Sequence, residues 1–252
     1  MKLLRILLLG LVLSIYVPLA TAVPLTVAVA ANVKFAFDEL QAEFKKSTGI
    51  EISAVVASSG KIAAQVKGGA PFDVFLSADM EFPEALHKDG LAASSPRVYA
   101  YGVLVLWTLG PLDLSKGMKV LTAPAVNKVA IANPKLAPYG EEAMRALDYY
   151  KLRAAVEPHL IYGESIAQVN QYIDTQSASI GFTAKSVVLA PQLQGRGKWI
   201  EVPRESYQPI AQGVVILKHG AESNAAAAQR FVEFLGSAKA RSIFEKFGYL
   251  LP

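Results

Sequence analysis

The sequence predicts an α/β fold in two lobes, and three observations carry that prediction. Strand-like apolar runs alternate with helix-like runs through the first hundred residues, the pattern of a largely parallel sheet with helices on both faces. The same alternation restarts near Val129. Two long β-like runs, Tyr99 to Trp107 and Gln208 to Leu217, separate the two zones as outward and return crossings would. Each lobe is expected to be a mixed, mostly parallel sheet flanked by helices. Lobe one would hold residues 23–100 plus 209–252, and lobe two residues 101–208, with the two crossing strands between them as the hinge.

The elements follow in order. Pro24 to Ala30 is a β-rich apolar run suited to a strand covered on both faces. Val33 to Ser47 carries Phe35, Phe37, Leu40 and Phe44 mostly at helical spacing, with Lys45 and Lys46 in the last turn and a stop near Gly49. Ile50 to Val56 reads as a strand and Lys61 to Lys67 as a short helix ending at Gly68-Gly69. Phe72 to Leu76 is a third strand, and Met80 to Lys88 the helix after it. In the second zone Val129 to Ala132, Leu160 to Tyr162 and Ser179 to Phe182 are strands. Glu141 to Leu152 and Ile166 to Thr175 are helices, and the tail from Ala221 to Gly248 is helical in pattern. No repeat at a solenoid period occurs.

Composition narrows the class. A chain of 252 residues with 52% apolar and 18% charged residues buries a substantial core and is not disordered. Lys2 and Arg5, the apolar run Leu7 to Val17 and the small-x-small site Ala20-Thr21-Ala22 read as a signal peptide over residues 1–22. A membrane anchor is the alternative, but the apolar run is shorter than the roughly 20 residues a span needs. The mature chain is therefore expected outside the cytoplasm, in the periplasm. Of the 25 Lys and Arg, removal of Lys2 and Arg5 leaves 23 against 21 Asp and Glu, a net charge of about +2. No basic block interleaves with aromatics, so nucleic acid is not an expected partner. There is no cysteine, which fits an exported protein held by its core rather than by disulfides.

Four stretches read as helix starts opened by small or polar residues: Ala30-Ala31-Asn32, Ala57-Ser58-Ser59-Gly60, Ala137-Pro138-Tyr139-Gly140 and Gly163-Glu164-Ser165-Ile166. A helix start presents unpaired N–H groups and a partial positive charge, so several aimed at one point form a cage for an anion. All four follow strands, and open α/β sheets bind ligands at that edge. Two lie early in the chain and two in its middle, as a ligand held between lobes requires. Asn32 and Ser59 offer side-chain donors beside these amides. Ser58 is a further donor, or an N-cap instead, and plain capping is the alternative use of all three. Tyr139, after a proline and before a glycine, offers its amide, and its phenol could also reach inward. Ile166 offers only its N–H.

Other chemistries lack their residues. His87, His159 and His219 have no metal-ligand spacing. There is no G-x-S-x-G elbow, Walker loop or cysteine nucleophile, and no dinucleotide fingerprint. Asp73 and Asp79 flank a short apolar run and could pass for a carboxylate pair. Asp79 fits a helix-entry residue beside Ser77 better, and Asp73 a strand-start residue. No catalytic residue is expected.

The stretches VAVAANVKFAFDELQAEF, VVASSGKIAAQVKGGAPFDVFLSAD, IANPKLAPYGEEAMRAL and FEKFGYLLP resemble the periplasmic molybdate-binding proteins of ABC importers, in the same order over nearly the whole mature chain. The resemblance implies a type II periplasmic binding protein that holds molybdate or tungstate without metal ligands or a cofactor and delivers it to a membrane permease, with a monomer expected. It assigns the anion to Asn32, Ser59, Tyr139 and Ile166. In many members the first of these is Ser, the third Ala and the fourth Val. A Tyr common in the family falls on Ala184, so Tyr139 would replace that hydroxyl from the other side of the pocket. A permanently dianionic oxyanion requires donors alone, whereas protonated phosphate needs an acceptor, and Glu164 is the one obvious acceptor nearby. Selection against sulfate would rest on cavity size. The alternatives are a binding protein for sulfate, thiosulfate or tungstate, and an exported hydrolase using Asp73, Asp79 or a histidine.

Overall fold

The computed structural model describes residues 24–252, so the expected signal peptide at residues 1–22 lies outside the described residues. Two five-stranded sheets organise the chain. The first has the order β2-β1-β3-β10-β4, formed by β1 (Leu25–Ala30), β2 (Ile52–Ala57), β3 (Val74–Leu76), β4 (Arg97–Gly102) and β10 (Ile210–Ile216). The second has the order β7-β6-β8-β5-β9, formed by β5 (Leu104–Thr108), β6 (Val129–Ala132), β7 (Leu160–Gly163), β8 (Ile180–Ala184) and β9 (Lys198–Glu201). Both are mixed. In the first, β1 pairs parallel with β2 and β3, whereas β10 runs antiparallel to β3 and β4. In the second, β6 is parallel to β7 and β8, and β5 is antiparallel to β8 and β9.

The apolar run from Tyr99 to Trp107 is two strands rather than one. It breaks at Val103, with β4 in one sheet and β5 in the other, so the chain passes between lobes within one residue. The return leaves β9, makes a 3-10 turn at Arg204–Ser206 and enters β10. Strand β9 was not expected from its sequence. Only four residues long and none of them fully buried, it lacks a strong apolar run and follows the turn-forming Gly195-Arg196-Gly197.

Helices cover both faces of the first sheet, and strand alternation decides which residues meet them. Val27 and Val29 of β1 face α1 (Lys34–Thr48), whose Phe37, Leu40 and Phe44 lie in one buried cluster with Phe231 and Phe244. Ala28, between them, faces the opposite cluster with Ile62 of α2 (Ser59–Lys67) and Leu86 of α3 (Glu81–Lys88). In the second lobe α4 (Pro138–Tyr149), a short α5 (Arg153–Val156), α6 (Ile166–Asp174) and α7 (Lys185–Val188) surround a core built on β5, β6 and β8. The tail forms α8 (Lys218–Ser223), α9 (Ala225–Phe234) and α10 (Ala238–Lys246) against the first sheet. Among the described residues no helix is long and apolar enough to cross a membrane.

Candidate functional site

Helix α2 begins where β2 ends, α4 follows β6, α6 follows β7, and a 3-10 turn at Ala31–Val33 follows β1. None of these four starts has a side-chain cap. Their first-turn amides therefore lack the acceptor that a Ser or Asp cap would supply. Pro138 at the head of α4 fixes the backbone there without a hydrogen to satisfy.

The four starts meet at one cavity of about 10 Å³ between the sheets. Its wall comprises Ala30, Ala31 and Asn32 from the first start, Ser58 and Ser59 from the second, Ala137, Pro138 and Tyr139 from the third and Ile166 from the fourth, with Ala78 beyond β3. Asn32, Ser59, Tyr139 and Ile166 thus lie together although they span more than 130 positions of sequence. No residue of the lining carries a formal charge. Pockets for organic ligands run to roughly 300–1,000 Å³, so the space is too small for an organic molecule.

The individual contacts refine the expected roles. Ser59 Oγ accepts from the Ala78 N–H at 2.9 Å, which leaves its hydroxyl hydrogen to donate. Asn32 Nδ2 instead donates to Gln212 Oε1 at 2.9 Å and to the Tyr249 hydroxyl at 3.3 Å. Its side-chain nitrogen therefore braces the floor, and its backbone N–H is the donor it presents at the turn. Tyr249 in turn donates to the Asn32 carbonyl at 2.9 Å, and Ser186 Oγ reaches the same carbonyl at 2.7 Å from the second lobe.

Gln212 ties this floor together. Its Oε1 also accepts from the Tyr99 hydroxyl at 2.8 Å, and its Nε2 donates to the Tyr139 hydroxyl at 3.2 Å. The phenol of Tyr139 is seated against Gly102, where an added Cβ would lie 2.1 Å from the hydroxyl oxygen, so only glycine leaves room for it. Burial pushes the phenols of Tyr99, Tyr139 and Tyr249 well above the ordinary value, which keeps all three protonated and able to donate. Ala184 ends β8, buried and outside the cavity wall. Gln212 and Tyr249 were not singled out from the sequence. The signal available was one amide inside the apolar run QPIAQGVVIL, where an isolated polar residue in a buried strand must have buried partners.

The lobes touch at the cavity rim. The Gly60 N–H donates to the Leu136 carbonyl at 2.9 Å, and Lys61 pairs with Glu164 at 2.9 Å. Glu164 is thereby an outer, exposed partner of Lys61 and no acceptor in the cavity wall. A second, open cavity of about 230 Å³ adjoins the first and contains Asp79 and Glu81 opposite Glu141, Glu142 and Arg145. Burial pushes the Asp79 carboxyl up to about 6, against the lowering effect of hydrogen bonds from Ser77 and the Phe82 N–H.

The remaining candidates serve the fold. Buried Asp73 accepts from the Thr26 N–H at 2.7 Å and Asn224 Nδ2 at 3.0 Å and pairs with His219 at 2.9 Å, which ties β1 to the tail helices. His159 bonds to the Asn127 carbonyl at 3.2 Å, and His87 sits in the last turn of α3. Among the described residues no cluster of His, Asp and Glu could hold a metal ion.

The model of the family "Bacterial extracellular solute-binding protein" matches residues 25–250. The chain is 39% identical over 232 residues to the molybdate-binding protein ModA of Azotobacter vinelandii, covering 91% of each. It is 38% identical over 243 residues to the protein of the same name in Rhodobacter capsulatus, covering 96% of this chain and 94% of that one. Among solved structures, the periplasmic molybdate-binding protein of Azotobacter vinelandii superposes with a TM-score of 0.84 at 32% identity, covering 90% of this chain and 99% of that one.

Proposed function

The chain belongs to the family of bacterial extracellular solute-binding proteins, and from that premise we propose that it captures molybdate, and with it tungstate, between its two lobes. It is a binding protein and not an enzyme, and molybdate is its ligand rather than a cofactor. The reading is supported above all by one observation. Four uncapped helix starts from two lobes surround a cavity of about 10 Å³ whose wall has no charged side chain.

The chemistry follows from that lining. A dianion with four equivalent oxygens requires donors and no acceptors, and neutral donors disperse its charge without a counter-ion. We assign the backbone N–H groups of Asn32, Ser59, Tyr139 and Ile166 to it, together with the hydroxyls of Ser59 and Tyr139. Each charge-assisted bond contributes roughly 1.5–3 kcal/mol. Phosphate keeps a proton at neutral pH and finds no carboxylate in the wall to accept it. On this reading residues 23–100 with 209–252 and residues 101–208 are the two moving bodies. Residues 1–22 direct export to the periplasm, and the closed form, as a monomer, is read by an ABC permease in the inner membrane.

Calorimetric titration with molybdate, tungstate, sulfate and phosphate tests the proposal. Molybdate and tungstate should bind with Kd below about 1 μM, near −8 kcal/mol, with phosphate silent. Failure of every tetrahedral oxyanion in that range would overturn it, and a preference for sulfate would move the assignment to another anion.

A further inference from the structure

We infer that the hydroxyl of Ser58 is an additional donor to the bound anion, held ready by being denied every other partner. The inference rests on the oxyanion reading of the cavity and adds a residue to it. Ser58 is 2% exposed and lines the cavity. Among the described residues its Oγ is the buried side-chain polar atom with no hydrogen-bond partner.

The reason lies in how α2 begins. Ser58 occupies the N-cap position with the extended backbone of a cap (φ −70°, ψ 152°), yet its hydroxyl caps nothing. A capping serine accepts from the second or third amide of its helix. Here the second amide, that of Gly60, donates across the cleft to the Leu136 carbonyl at 2.9 Å. The opposite lobe has taken over the capping role. Neighbouring Ser59 engages the Ala78 N–H, so the loop after β3 is served as well, and Ser58 is left over.

An unpartnered buried hydroxyl is unfavourable, and natural folds retain few. An acceptor that enters the cavity satisfies it, and no protein group competes for the hydroxyl. Substitution should therefore lower affinity without lowering stability. A purely structural serine would move them together.

The test uses Ser58→Ala and Ser58→Gly, because glycine keeps most of an N-cap's backbone preference while removing the hydroxyl. Calorimetry with molybdate gives the affinity, and thermal unfolding of the anion-free protein gives the stability. The expected result is binding weaker by about tenfold in both variants, with the anion-free Tm of Ser58→Ala unchanged or raised. Unchanged affinity would overturn the inference, as would a loss of affinity matched by a lower anion-free Tm. Wild-type protein that binds no tetrahedral oxyanion would overturn the function itself, a failure seen before any variant is made.

Discussion

Asp79 shows how closely two opposite electrostatic settings can be placed. One residue earlier, Ala78 lines a cavity without charged residues, while Asp79 opens into the neighbouring one among Glu81, Glu141 and Glu142. Its carboxyl titrates at about 6 in the folded protein instead of 3.8. Between those values the native state binds more protons than the unfolded chain, so stability is greatest at the acid end and declines as pH rises through about 6. Asp79→Asn should therefore exceed the wild type by something on the order of 2–3 kcal/mol above pH 7, the gap closing toward pH 4. Thermal unfolding across that range checks it, and molybdate affinity should change little. At this scale the sequence was informative where chemistry is local. Asn32, Ser59, Tyr139 and Ile166 were legible because a helix start is written within four residues. Which serine of the Ser58-Ser59 pair lacks a partner depends on Leu136 and Ala78, and Gln212 meets Asn32 across 180 positions. Neither relation leaves a local trace.

Helices and strands were legible wherever periodicity is strong, as in α1 with its aromatic stripe and β6 with its four buried residues. What composition hid was the break at Val103, since two buried strands in succession read as one apolar run. The start of α2 carries the consequence that matters most for the cavity. A Cβ at Gly60 would stand 3.0 Å from the Leu136 Cα and 3.1 Å from the carbonyl that Gly60 itself engages. Phe82 Cζ of the same lobe is equally near at 3.0 Å, but it is the end of a side chain that can turn aside, so the fixed backbone obstruction is the one across the lobes. Gly60→Ala should leave the anion-free Tm within about 2 °C, because alanine suits a helix, and weaken anion binding several-fold by holding the lobes apart. Parallel melting and titration would show the split.

For the molecule as a whole, the exposed pair Lys61–Glu164 is one of the contacts that join the lobes at the cavity rim. Such a pair contributes at most about 1 kcal/mol. Lys61→Glu does more than delete it, since two carboxylates then face each other at the rim. Anion release measured by stopped flow should accelerate about three- to tenfold, less so at high salt. The charge-swapped double variant with Glu164→Lys should return close to the wild-type rate. A double variant as fast as the single one would show that the pair has no part in closure.

The charge-free wall also governs how the cargo leaves. A counter-ion inside the cavity would have to be neutralised, exchanged or carried along each time the anion departs. Here the cavity wall holds no ionisable side chain but Tyr139, whose phenol burial keeps protonated, so on the proposed reading unloading calls for no proton and no co-ion. Separating the lobes lets water reach the amides and the anion together. Emptying the site becomes a mechanical act, timed by whatever pulls the two bodies apart and indifferent to the acidity of the surroundings.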